Sequence, residues 1–324
     1  MIDAILQILV WLVLFSIMTL AGFALFTSRI ATKVRRVIPP TGSVAHVEGG
    51  AIHFMEYGAA VPEKPSLVLI HGLSGNLHNF EYALSGALAK NYHVIVLDRP
   101  GCGYSRRQSS EQARLPVQAR MINEFLEKQN IEKSLVVGHS LGGAVALAMA
   151  LDSPQRVGGL ALIAPLTSVQ TKIPTVFRGF NVPNETLRRW MSYTVATPGS
   201  LQMGGKVAAA IFAPNPVPND FSIKGGGLLT LLPDAFYSTS TDAHAVALDL
   251  ETQQSRYNEL NLPIGVLYGR EDGVLDPATH IDGLMAACPD LQLTMLDNVG
   301  HMPIINAVDE TLAFIEEQAA RVSQ

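Results

Sequence analysis

The run Gly138-His139-Ser140-Leu141-Gly142, continued by Gly143, has the residue types and spacing that most directly suggest chemistry. A serine hydroxyl is a weak nucleophile until a base takes its proton. It must also be held clear of the backbone that carries it. The flanks supply that second condition: Leu135–Val137 before the run reads as a strand, and the Ala-rich Leu141–Leu151 after it reads as a helix. A strand that turns at once into a helix forces the turning residue into a strained conformation and thrusts its side chain out above the sheet. Small neighbours such as Gly138 and Gly142 permit that turn. Ser140 is the expected nucleophile.

The expected base is His301, in Gly300-His301-Met302-Pro303. Of the nine histidines, it stands out by lying on a loop between the last strand and a closing helix. A third group must orient the imidazole and stabilise its charged form. Asp272 fits, in Gly269-Arg270-Glu271-Asp272 just past the strand Ile264–Tyr268, with Glu271 and Asp276 as rivals. The oxyanion that develops in acyl transfer needs at least two preorganised donors, and losing one costs about 3–4 kcal/mol. The backbone N–H groups of Leu141 and Leu73 are expected to supply them, the latter within His71-Gly72-Leu73-Ser74-Gly75. His71 is expected to hold that loop rather than to react.

These residues need a frame. Strand-like runs recur at Val44–Val47, Ile52–Tyr57, Ser66–Ile70, His93–Leu97, Leu135–Val137, Leu160–Ile163, Ile264–Tyr268 and Leu291–Leu296. Glu48-Gly49-Gly50 between the first two is a hairpin signal. Helical patterns alternate with the later strands, at Gln118–Lys128, Leu141–Leu151 and Val308–Arg321. Such alternation predicts a mostly parallel sheet covered on both faces. From Pro165 to Pro263 the rhythm fails. That stretch has no clear strand, carries prolines including Pro174, Pro183, Pro198 and Pro233, and contains Gly225-Gly226-Gly227. It reads as an inserted helical cap, with the three glycines as a hinge. Its apolar stretches Val207–Ala213 and Leu228–Leu232 are expected to pack on the sheet more than to line a pocket.

From Ala4 to Ser28 there is no charge. Roughly 20 apolar residues cross a bilayer core of about 30 Å, and a helix is the only single segment that can do so. A cleaved signal peptide competes, with Gly22-Phe23-Ala24 as its site, but the chain starts Met1-Ile2-Asp3 without a basic region. Arg29, Lys33, Arg35 and Arg36 follow the span, so the positive-inside rule places the remainder in the cytoplasm of a single-pass membrane protein. Pro39-Pro40-Thr41-Gly42 then breaks the helix. The expected units are 1–42 (anchor and linker), 43–165 (core, first part), 166–262 (cap) and 263–324 (core, second part).

His71-Gly72, the segment Asp98-Arg99-Pro100-Gly101-Cys102-Gly103-Tyr104-Ser105, the turn at Ser140, Asp272 and Gly300-His301 together resemble the α/β-hydrolase superfamily, in its order, from about Ser43 to the end. The resemblance implies a doubly wound sheet of about eight strands, a Ser140–Asp272–His301 triad and a cap. Asp98–Ser105 is then a structural turn. An anchored, capped hydrolase with Gly269–Asp276 is similar to membrane-bound monoacylglycerol lipases. That implies hydrolysis of hydrophobic acyl esters through an acyl-enzyme, without metal or organic cofactor.

Other chemistries rank lower. Epoxide hydrolases and dehalogenases of this fold use an aspartate where Ser140 stands. Carbon–carbon bond hydrolases keep the triad, and Asn79 with Arg189-Trp190 resembles their polar pocket, but Met302 stands where they carry Trp. A cofactor-free haloperoxidase and a catalytically silent membrane-bound binding protein are the remaining alternatives. Composition narrows the field further. The chain is 48% hydrophobic and 16% charged with a net charge of −5, so it offers no basic field for nucleic acid. Cys102 and Cys288 are too few for a disulfide framework.

Overall fold

The computed structural model describes residues 2–169 and 175–322. Met1, Pro174 of the proline series and Gln324 lie outside the described residues. The chain opens with α1 (Ile2–Val37), a 36-residue helix. Pro39 explains its end, because a proline pushes the residue before it, Ile38, out of the helical region.

The core follows in order as β1 (Ser43–Val47), β2 (Gly50–Tyr57), β3 (Leu67–Ile70), α2 (His78–Glu81), α3 (Ser85–Leu88), β4 (Val94–Leu97), β5 (Arg106–Arg107), α4 (Leu115–Lys128), β6 (Ser134–His139), α5 (Leu141–Asp152) and β7 (Val157–Ile163). Among the described residues the α-helices that come next are α6 (Glu185–Tyr193), α7 (Ala196–Phe212), α8 (Phe221–Lys224) and α9 (Pro233–Gln254). The core resumes with β8 (Ile264–Gly269), α10 (Pro277–Ala287), β9 (Gln292–Leu296), α11 (Pro303–Asn306) and α12 (Val308–Val322). No strand lies among the described residues between β7 and β8.

The nine strands form one sheet in the order β1-β2-β4-β3-β6-β7-β8-β9, with the two-residue β5 paired to β2. That short strand is the one absent from the sequence reading. The β1–β2 and β2–β4 pairs are antiparallel, and every pair from β4 through β3 to β9 is parallel. This is the mostly parallel, doubly wound arrangement that the alternation of strands and helices predicts.

The two-residue period of the strands sorts side chains between two cores. Val68, Ile70, Ile95, Leu97 and Val136 face one core, closed by Met121, Ile122 and Phe125 of α4 and by α5. Leu67, Leu69, Val94, Val96, Leu135 and Val137 face the other, closed by Phe80, Leu84, Phe314 and Ile315. Because both faces are covered, the central strands read as continuous apolar runs. Parallel pairing brings the carboxyl ends of β3, β6, β7 and β8 to one edge, with Ile70 opposite Gly138 and Gly138 opposite Leu162. Ligands in such sheets bind at that edge.

Candidate active site

Ser140 stands between the end of β6 and the start of α5, at φ 54° and ψ −120°. This is a left-handed φ on a residue with a Cβ, a conformation that persists only where its surroundings hold it. They do so here through three backbone bonds. Its N–H donates to the Ile163 carbonyl at 3.0 Å, and its own carbonyl accepts from Gly143 and Leu166 at 2.9 and 3.0 Å. The turn is so tight that a Cβ at Gly142 would lie 2.1 Å from the Ile70 carbonyl oxygen. One at Gly138 would lie 2.6 Å from the Gly142 oxygen. Those two glycines are required by space.

His301 Nε2 lies 3.0 Å from Ser140 Oγ, across 161 residues of sequence. Its Nδ1 lies 2.8 Å from Asp272 Oδ2. The second oxygen of Asp272 accepts from the amides of Val274 and Leu275 at 2.8 and 2.9 Å, so the carboxylate is fixed from both ends. The two rival acids are engaged elsewhere. Glu271 accepts from the Val299 amide, and Asp276 caps α10 by accepting from Thr279. All three members of the Ser140–His301–Asp272 line are buried.

His139 escaped the sequence reading, where it was merely the variable position before the serine. Its Nε2 donates to the His301 carbonyl at 2.9 Å, and the two rings lie 5.1 Å apart. Burial, with the neighbouring His301 charge, pushes its pKa down to about 3, so the ring is a neutral donor. His71 holds its loop as expected: Nδ1 donates to the Gly72 carbonyl at 2.8 Å and Nε2 accepts from the Arg99 amide at 3.0 Å. Burial and the Arg99 charge push its pKa down to about 4.

Asp98 forms the turn that the Asp98–Ser105 segment suggested, accepting from His53 at 2.8 Å and from the amides of Leu77 and Tyr104. Burial would raise its pKa, but the His53 hydrogen bond and neighbouring histidine charges outweigh it and hold the carboxyl below its ordinary value.

Ser140 and His301 open into a cavity of about 820 Å³, which Leu73 also lines. Leu141, the first residue of α5, carries one of the amides that a helix start leaves without an intrahelical partner. The cap's apolar stretches do both: Phe212 and Ile211 pack against the core of the sheet, as expected, and Val207, Ala208, Ile211, Phe212, Leu228 and Leu231 line the cavity. The glycine run is also no free hinge. Gly226 has φ 73°, and a Cβ there would lie 2.1 Å from Asn76 Oδ1. Asn76 and Asn79 donate to the Gly226 and Gly225 carbonyls at 3.1 and 2.8 Å. The glycines let cap backbone press against the core.

Asn79 lines the cavity, but Arg189 stacks over Tyr237 on the outside of α6 and Trp190 is exposed. The polar pocket suggested for carbon–carbon bond hydrolysis is therefore not assembled. A second Ser–His–acid array does occur, at the other end of the sheet. Ser66 Oγ is 2.9 Å from His93 Nδ1, and His93 Nε2 is 2.6 Å from Glu56, beside a cavity of about 690 Å³. Ser66 has no left-handed φ and leads directly into β3, so it lacks the strained strand-to-helix turn that carries Ser140.

A family model described as the alpha/beta hydrolase fold matches residues 65–308. Lipase 1 of Psychrobacter immobilis is 25% identical over 83% of this chain and 80% of its own. Monoacylglycerol lipase ABHD6 of Mus musculus is 25% identical over 80% of this chain and 76% of its own. Among solved structures, a membrane phospholipase A, a bacterial virulence factor, superposes with a TM-score of 0.67 at 21% identity and covers 99% of both chains.

Proposed function

The chain belongs to the alpha/beta hydrolase fold family, and from that premise we propose that it is a membrane-anchored serine hydrolase of hydrophobic carboxylic esters. The observation that carries the reading is the unbroken line from Ser140 through His301 to Asp272, with a strained serine at a helix start. Residues 166–262 act as the cap over that line. Ser140 Oγ attacks the ester carbonyl while His301 Nε2 takes its proton, and Asp272 steadies the imidazolium through Nδ1. The amides of Leu73 and Leu141 hold the oxyanion. His301 then returns the proton to the leaving alcohol. Water repeats the sequence on the acyl-enzyme and releases the acid.

The apolar cavity supports an acyl chain as the recognised part of the substrate. The names of the relatives, a lipase and a monoacylglycerol lipase, point the same way. For the anchor, α1 carries an 18-residue window of mean hydropathy 2.5 that is 0% buried in the protein. Arg29, Lys33, Arg35 and Arg36 keep the body on the cytoplasmic side. An active export-dependent reporter fused after Gln324 would reverse that orientation.

The decisive experiment uses a fluorophosphonate, which reacts with activated serines. Wild type and Ser66→Ala are expected to label, and Ser140→Ala to remain unlabelled with its fold intact. Labelling that survives in Ser140→Ala overturns the assignment. A series of p-nitrophenyl esters then tests the substrate class: rising preference from acetate toward medium and long chains supports it, and a steady preference for acetate defeats it.

A further inference from the structure

At 1.5 Å per residue the 36 residues of α1 extend about 54 Å, well beyond the ~30 Å of a bilayer core. The surplus is not a free stalk. Thr27, Ala31 and Val34 are buried and Leu20 and Ala24 half-buried, a stripe of one helix face that continues to Ile38. Ala31, Val34 and Ile38 pack with Leu229, Leu231 and Leu232 of the cap. The Thr27 hydroxyl donates to the Thr194 carbonyl at 3.1 Å. Thr27 lies inside the uncharged stretch Ala4–Ser28, so the α6–α7 junction that contains Thr194 meets α1 at the level where the helix leaves the lipid.

The surface at that junction is apolar. On α6, Leu187 and Trp190 are 51% and 55% exposed, and on α7, Leu201 and Met203 are each 48% exposed. The α7 sequence holds Lys206 and no acid, and Arg29, Lys33 and Arg36 follow the span on the exposed side of α1. Aromatic, apolar and basic residues in one belt match the headgroup boundary of an anionic bilayer. Leu201 and Met203 also line the cavity that holds Ser140. Residues both exposed and cavity-lining mark its mouth.

We propose that the α6–α7 face is seated on the same bilayer that α1 crosses, and that the cavity draws its ester laterally from the lipid rather than from water. The proposal rests on the membrane-ester reading above and specifies where its substrate enters. Continuity with α1 selects lipid as the occupant of the face. α7 is then a partition with lipid on one side and the cavity on the other, and its Gly199, Gly204 and Gly205 leave open space where side chains would stand.

The sequence has two tryptophans, Trp11 and Trp190. The full-length Trp11→Phe protein, placed in phosphatidylcholine–phosphatidylglycerol vesicles, therefore reports on the face alone. Expected are strong quenching by phosphatidylcholine brominated high on the acyl chain and little quenching by aqueous iodide. Quenching by iodide without bromolipid quenching overturns the proposal. So does protection from both, which would mean that a second copy covers the face.

A second arm reads turnover. Leu187→Glu with Trp190→Glu is expected to lower hydrolysis of a vesicle-dissolved long-chain ester about tenfold, the effect of ~1.4 kcal/mol of lost interfacial binding. Hydrolysis of a short water-soluble ester should stay unchanged. Equal losses on both esters, or no loss on either, overturn the entry route. If wild type hydrolyses neither ester and resists the fluorophosphonate, the ester reading fails, while the bromolipid result still decides the docking.

Discussion

Asp272 sets which nitrogen of His301 carries the proton. Its Oδ1 accepts from the amides of Val274 and Leu275, which can only donate, so the side chain introduced by Asp272→Asn must keep its carbonyl oxygen there. Its NH2 then replaces Oδ2 opposite His301 Nδ1. A donor at that place makes Nδ1 the acceptor and moves the proton to Nε2, where it blocks uptake of the Ser140 proton. Asp272→Asn is expected to slow acylation about 10⁴-fold at unchanged thermal stability. Single-turnover release of p-nitrophenol measures it, and a loss below tenfold would remove Asp272 from the role. The positions of Ser140, Asp272 and His301 were legible because each follows a strand that its apolar run announces. His139 was not legible. Its partner is a carbonyl 162 residues away, and nothing in the local pattern codes for that contact.

The cap helix α9 is joined to the loop after β4 through a buried charge cluster. Asp242 accepts from Arg99 at 2.8 Å and from Arg107, and the Arg99 and Asp242 side chains are wholly buried. Arg99 also donates to the carbonyls of His71 and Gly72 at 3.0 and 3.1 Å, so the cluster braces the loop that carries Leu73. Burial would raise the Asp242 pKa, but the Arg107 and Arg99 charges outweigh it and hold the carboxyl below its ordinary value. Removing one member of a buried pair strands the other and costs about 3–5 kcal/mol. Asp242→Asn is therefore expected to lower the unfolding temperature by on the order of 10 °C. Arg270→Gln, which breaks an exposed pair with Asp297, should barely move it. Equal shifts in a thermal scan would show that the cluster contributes no more than a surface pair. At this scale the strands were legible, because buried parallel strands are apolar throughout. The cap was legible only as a region without strands. Its helices are broken by glycines and prolines, and its apolar residues divide among the sheet, the cavity and α1, so no single period survives in the sequence.

Across the whole molecule, the long α1 was legible from its lack of charge, whereas its grip on the cap was not, since a stripe of Thr, Ala and Val in an apolar helix looks like any other. A further property of the whole chain comes from histidines withdrawn from water. Burial pushes His71 to about 4, His139 to about 3 and His280 to about 4, and it lowers His244 as well. Each has a folded pKa below its ordinary 6.5, so each contributes stability above that pH that is lost as the pH falls toward the folded value. In that interval the unfolded chain binds protons that the folded chain refuses. Each such proton removes about 1.4 kcal/mol per pH unit. His53 is shifted the other way: burial would lower it, but the Asp98 hydrogen bond and charge raise it. Its contribution is complete below pH 6.5 and is lost as the pH rises through its folded value, so it does not oppose the loss in acid. The urea midpoint of the full-length protein in detergent is thus expected to fall steeply from pH 7 to pH 5. His280→Gln should flatten the slope by about one proton's share, since its imidazole accepts from the Thr167 and Ser168 amides and the amide oxygen of Gln can do the same without titrating. A midpoint that stays level over those two pH units would mean that these histidines are already charged in the folded protein, and with them the neutral donor that His139 presents to His301 would be gone.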